Sequence, residues 1–138
     1  MTAKEYLSQA YWLDRRIDSK LEQISALRDT ATKATAVMND VVVSRTRNMQ
    51  SLQDTIEKIV DMERELNEDI DTLVDLKRDM MRQIKSVRNP EYQTLLELRY
   101  LCFKSWDYIS EAMGYCVNNV FKMHAKALRN FKVPETLQ

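Results

Sequence analysis

Leu95 to Phe131 reads LLELRYLCFKSWDYISEAMGYCVNNVFKMHAKALRNF. A helix from Pro90 to about Cys102 would offer Leu95, Leu98, Tyr100 and Leu101 for packing. Ser105 is a strong helix-capping residue, and Trp106, Ile109, Ala112 and Met113 recur behind it at helical intervals. Gly114 is the only glycine of the chain. A tight turn between crossed helices needs a residue with positive φ, and glycine adopts it at least steric cost. Tyr115 is placed to plug that turn. Cys116 stands where the next helix starts and is a weak cap beside Ser or Thr. That last helix, about 117–131, buries Val120, Met123, Ala127, Leu128 and Phe131 by spacing. It turns Val117, Asn118, Phe121, Lys122, Lys126 and Arg129 the other way. Helix, glycine turn, helix is the geometry of the helix-turn-helix, whose final helix lies in the major groove of double-stranded DNA.

Charge points the same way. Between Gly114 and Val133 there is no acid, while Lys122, Lys126, Arg129 and Lys132 are basic. The whole chain carries 21 basic and 21 acidic residues and a formal net charge of zero. Phosphate binding needs only a local basic face, so the overall balance does not count against it. Among base edges, Asn118 can pair bidentately with adenine and Lys122 can reach guanine or phosphate. Val117 and Phe121 suit a thymine methyl. With Asn119, Lys126 and Arg129, these residues form the candidate DNA-binding set.

Upstream of this segment, apolar residues recur in steps of three and four from Lys4 to Met38: Leu7, Ala10, Leu13, Ile17, Leu21, Ile24, Leu27, Ala31, Ala34 and Met38. Asp14, Arg15, Arg16, Asp18, Lys20 and Glu22 fall mostly off this stripe and are expected in solvent. A second stripe comprises Met49, Leu52, Ile56, Ile59, Leu66, Ile70, Leu73, Met80, Ile84 and Val87. Between the two, residues 39–48 break the period. Val41-Val42-Val43 is β-branched and disfavours helix, so a connecting loop made basic by Arg45 and Arg47 is expected. The triple valine has no evident local role. A long helix cannot bury its stripe alone, and a short connection favours an antiparallel hairpin. A second copy would cover the remaining apolar surface and give a homodimer. Asn89-Pro90 supplies a cap and a first helical residue, which ends the long helix near Arg88. The expected organisation is therefore all-α. Residues 1–88 form a long, coiled-coil-like hairpin for oligomerisation, and 89–138 form a helix-turn-helix DNA-binding domain. One glycine and two prolines leave too few turns for a β-rich fold.

The segment SWDYISEAMGYCVNNVFKMHAKALRNF resembles the fourth conserved region of bacterial primary sigma factors, which reads the −35 promoter element. The resemblance rests on the Ile109/Ala112/Gly114 spacing, Val120 in the helix core and the string AKALR at Ala125 to Arg129. It covers about the last third of the chain. The whole layout, with YWLDRRIDSKLEQISALRD at the front and NPEYQTLLELRYLCFKSWDYI in the middle, resembles the small phage-encoded regulators of the RinA/ArpU type. The resemblance implies a transcription regulator of phage or mobile-element genes. It also marks a departure: where sigma factors carry arginines at the start of this helix, this chain has Val117 and Phe121, so promoter reading in the sigma manner is not expected.

Other functions leave weaker traces. An interaction protein, docking on RNA polymerase or another phage or host protein through the hairpin and the sigma-like end, is the alternative. Exposed Val117 and Phe121 would suit it. No enzyme is expected: His124 is the only histidine, no acid or nucleophile stands at triad-like spacing, and no glycine-rich phosphate loop exists. His124 is expected on the surface or at phosphate. Carboxylates such as Glu65, Asp69 and Asp71 read as a solvated face, so no metal and no cofactor is expected. Cys102 and Cys116 form no CxxC pair and read as reduced, partly buried thiols. No apolar run approaches the ~18 residues of a membrane helix, and the first residues lack a secretory core, so a cytoplasmic protein without membrane contact is expected.

Overall fold

The structure, a computed structural model, describes residues 1–40 and 45–134. It is all-α, with no strand among the described residues. The helices are α1 (Ala3–Asp40), α2 (Arg45–Lys85), α3 (Pro90–Leu96), α4 (Trp106–Met113) and α5 (Val117–Asn130). Helix α3 does not run on to Cys102 as its sequence suggests. It passes into a π-helical turn, Glu97–Leu101, closed by the Cys102 N–H donating to the Glu97 carbonyl at 3.0 Å. Part of the loop expected at residues 39–48 is helical instead, since α1 runs to Asp40 and α2 starts at Arg45. Val41-Val42-Val43 lies outside the described residues. No helix among the described residues is long and apolar enough to cross a membrane.

Packing divides the chain into two compact units. The first is Met1–Asp14 together with the chain from Leu73 onward, and the second is Arg15–Thr72. These units do not coincide with the segments 1–88 and 89–138. The start of α1 and the end of α2 belong with the helix-turn-helix because they share its core. Tyr6, Leu7 and Ala10 of α1 and Met80, Ile84 and Val87 near the end of α2 join Leu95, Leu96 and Tyr100. Ile109 of α4 and Val120, Met123, Ala127 and Phe131 complete the cluster. Tyr6 and Phe131 pack ring to ring at 5.8 Å. Asn89 caps α3 by accepting the Glu91 N–H at 2.9 Å, with Pro90 in the first turn where its missing N–H costs nothing.

In the second unit α1 and α2 run antiparallel, since ion-pair partners fall in number along one helix as they rise along the other: Lys20 with Asp69, Arg28 with Glu63. Its buried apolar residues are Ile17, Ile24, Ile59 and Leu66, each pair one heptad apart. Lys20, expected in solvent, is instead largely covered and lies 2.5 Å from Asp69. Leu21, Met49, Ile56 and Ile70 belong to the apolar stripes by spacing but are exposed. A two-helix pair covers only part of each helix's circumference, so a stripe broader than the contact remains in solvent. Asp69 also forms an ion pair with Arg16, and Glu65 lies near Lys20, so these carboxylates are spent on ion pairs. Among the described residues no group of three or more His, Cys, Asp or Glu could hold a metal ion.

Candidate nucleic-acid interface

The turn between α4 and α5 is built from local hydrogen bonds. Ser105 caps α4 by accepting the Tyr108 N–H at 3.2 Å. Gly114 ends the helix at φ +76°, in the left-handed region. A Cβ built there would meet nothing within 4 Å, so the position needs glycine for its backbone angle and not for space. Gly114 and Tyr115 both donate their N–H groups to the Ser110 carbonyl, at 3.0 and 3.1 Å, and the Ser110 hydroxyl donates to the Tyr115 carbonyl. Tyr115 is half-buried, and its hydroxyl donates to the Glu91 carboxylate at 3.0 Å, tying the turn to the start of α3.

Helix α5 is two-faced. Val120, Met123 and Ala127 are buried, and Leu128 is half-buried. Asn118, Phe121, Lys122, Lys126 and Arg129 are exposed, together with the small Ala125 between them. Val117 and Asn119 are half-buried at the helix start. Of the seven candidate DNA-binding residues, five therefore share one open face, with Val117 and Asn119 at its edge. Among the described residues no carboxylate pairs with Lys122, Lys126 or Arg129. Cys116 caps α5 without any side-chain hydrogen bond, which leaves the first N–H groups of the helix without a capping acceptor.

Several side chains depart from expectation. Ala112 is exposed instead of lying on the inner stripe of α4, whose one fully buried residue is Ile109. Cys102 and Cys116 are free and exposed, not partly buried. His124 is neither on the open surface nor free for phosphate. Its Nε2 lies 2.6 Å from the Tyr100 hydroxyl, and its ring meets Trp106 edge-on at 4.7 Å. Burial, with the positive charges of Lys4 and Arg99 nearby, pushes its pKa down to about 4, so it is neutral at pH 7. Burial likewise pushes Tyr100 up to about 12.

Sequence spacing missed this aromatic cluster, because the π-helical turn re-aims Arg99 and Tyr100. The Arg99 guanidinium lies 4.3 Å over the Trp106 ring, and one of its Nη atoms donates to the Lys104 carbonyl. Phe121, from the open face of α5, packs edge-on against Trp106 at 5.3 Å. Lys104 lies over Tyr108 and Lys77 over Phe103. Phe103 itself has φ +57°, a left-handed angle that costs a side-chain-bearing residue about 1–2 kcal/mol. Its edge contact with Tyr11 helps to hold it there. Beside it opens a cleft of about 390 Å³ lined by Ser8, Tyr11, Trp12, Arg99, Tyr100, Phe103 and Ser105.

The chain belongs to the family described as protein of unknown function (DUF1492), whose model matches residues 33–132. The match takes in all of α2, α3, α4 and α5. No curated protein and no solved structure matches the chain.

Proposed function

We propose that this member of the DUF1492 family is a sequence-specific DNA-binding transcriptional regulator of phage or mobile-element genes, with α5 as its recognition helix in the major groove. The observation that carries the reading is the division of α5 itself. One side is sealed into the core by Val120, Met123 and Ala127, and the other offers Asn118, Lys122, Lys126 and Arg129 to solvent with no carboxylate partner among the described residues. A base-only helix face beside a turn of this geometry suits phosphate, and an asparagine among the bases suits adenine. The uncapped N–H groups at Val117 and Asn118 add positive potential where a backbone phosphate would lie. The resemblance to the sigma-factor region supports the groove assignment, and the Val117 and Phe121 departures favour a different target element.

The experiment is selection of bound sequences from random duplex DNA, followed by mobility shifts over a salt series. The protein alone should enrich a motif. Asn118→Ala should abolish most of the preference for that motif while leaving affinity for random DNA nearly unchanged. Lys126→Ala should weaken binding to all sequences alike and lower the salt slope by about one. No enrichment, together with no binding at low ionic strength, refutes the reading.

A second reading, docking on RNA polymerase or another protein, is favoured by one observation. Trp12 is 68% exposed beside Tyr11 and Arg99 at the aromatic cleft, and Trp, Tyr and Arg are the residue types that dominate binding energy at protein interfaces. Loss of polymerase capture on Trp12→Ala, with DNA binding intact, would select it.

A further inference from the structure

The cleft of about 390 Å³ lies wholly within the first unit, since Tyr11 and Trp12 come from the start of α1 and Arg99 and Phe103 from beyond Leu73. Two unusual backbone features converge on its wall. The π-helical turn Glu97–Leu101 carries Arg99 into the lining, and Phe103 holds its positive φ beside it. Both a π-helical turn and a left-handed residue with a side chain are costly, and both recur at binding sites. Three aromatic rings are linked here: Tyr11 meets Trp12 edge-on at 5.2 Å and Phe103 edge-on at 5.9 Å. Tyr11 and Trp12 are exposed, so ring surface remains uncovered at the cleft.

The charge of the cleft is one-sided. Arg99 is half-buried and is the only charged residue in the lining. Its guanidinium lies over Trp106, and one Nη donates to the Lys104 carbonyl at 2.9 Å. A guanidinium carries five N–H donors, so most of them remain for a ligand. No carboxylate pairs with Arg99 among the described residues. A cation half withdrawn from water without an anion is unfavourable, and an anion entering the cleft removes that deficit. Lys77, 4.6 Å over the Phe103 ring, adds positive potential at the same wall.

We propose that the cleft binds a small aromatic carboxylate, with its ring against Tyr11, Trp12 and Phe103 and its carboxylate forked on Arg99. A flat ligand ring gains stacking and edge contacts on aromatic walls that an aliphatic body does not. One guanidinium matches one carboxylate bidentately. The phosphate of a nucleotide carries nearly two charges and calls for more donors than a single arginine offers. The volume falls within the range of small-molecule sites. The site goes beyond both functional readings above, since it needs neither DNA on α5 nor a protein partner.

Isothermal titration calorimetry of the full chain tests the site. The probe 2-naphthoate should bind once per chain with a Kd on the order of 0.1 mM, and its neutral amide, 2-naphthamide, at least ~5-fold more weakly. Cyclohexanecarboxylate keeps the charge without the aromatic ring and should also bind at least ~5-fold more weakly. Trp12→Ala should weaken acid and amide alike, by ~5-fold or more. Arg99→Gln should remove the advantage of the acid over the amide, with circular dichroism checking its helix content. If Arg99→Gln does not fold, Trp12→Ala decides alone, because that exposed side chain is no part of the core. The proposal is overturned if 2-naphthoate shows no saturable binding, if the amide binds as well as the acid, or if Trp12→Ala leaves binding unchanged. Tighter binding of adenosine monophosphate would overturn it by giving the cleft to a nucleotide. Polymerase capture that needs Trp12, with no acid bound, would overturn it by giving the cleft to a protein.

Discussion

Both units draw on the same two long helices, yet they bury apolar residues to different depths. In the first unit Leu7, Met80, Ile84, Leu95, Leu96, Ile109 and Val120 are all fully covered, because five helices converge on one cluster. In the second unit a pair of helices covers four apolar residues and relies on ion pairs beside them. A long helix thus changes character along its length according to how many neighbours it meets. Where neighbours are many, hydrophobic burial holds it. Where there is one, charge and an uncovered apolar stripe remain.

The sharpest test of that contrast truncates one residue in each unit. Leu95→Ala should cost about 3–4 kcal/mol, as in a well-packed core, and Ile24→Ala only about 1–2 kcal/mol, because the thin second unit leaves room to relax. Urea unfolding followed by circular dichroism checks both, and equal losses would erase the distinction. The next effect is confined to the first unit. His124 has a folded-state pKa of about 4 against an ordinary 6.5, so between these values the unfolded chain binds more protons. Its contribution is therefore intact above pH 6.5 and is lost as pH falls toward 4, by about 2–3 kcal/mol. The variant His124→Gln should flatten that stretch of the stability profile, and an unchanged profile would mean the imidazole is not shielded as described. In the second unit, Lys20→Ala should cost roughly 1–2 kcal/mol, because it leaves Asp69, itself largely covered, with only the more distant and exposed Arg16. Arg28→Ala, in a pair open to solvent, should cost no more than ~0.5 kcal/mol and should do so only at low salt. A reversed order of these two would show that coverage does not decide the worth of an ion pair here.

Local chemistry was well written in the sequence. Asn89-Pro90, Ser105 and Gly114 each act at the position their residue type demands, because caps and left-handed turns depend on a few adjacent atoms. The two faces of α5 also followed from spacing, since one period governs a straight helix. Three things did not follow. The π-helical turn at Glu97–Leu101 has no residue signature, and it rotates Arg99 and Tyr100 toward Trp106 and His124. Phe103 holds an angle that sequence reasoning reserves for glycine, because its ring has a place beside Tyr11. Periodicity marks Met49, Ile56 and Ile70 as apolar-face residues but cannot say how much of that face one partner helix covers. The candidate interface on α5 was thus legible as a surface, while the cluster beneath Phe121 required tertiary packing.

That cluster has an optical consequence. The chain has two indoles in opposite surroundings: Trp12 stands 68% in solvent, whereas Trp106 is half-buried between a guanidinium and an imidazole. After Trp12→Phe, the remaining emission reports Trp106 alone. A cationic imidazole 4.7 Å from the excited ring is an efficient quencher, so the light should dim as acid protonates His124. Phe121 touches the same indole, so a ligand that seats on α5 should shift its colour without any attached dye.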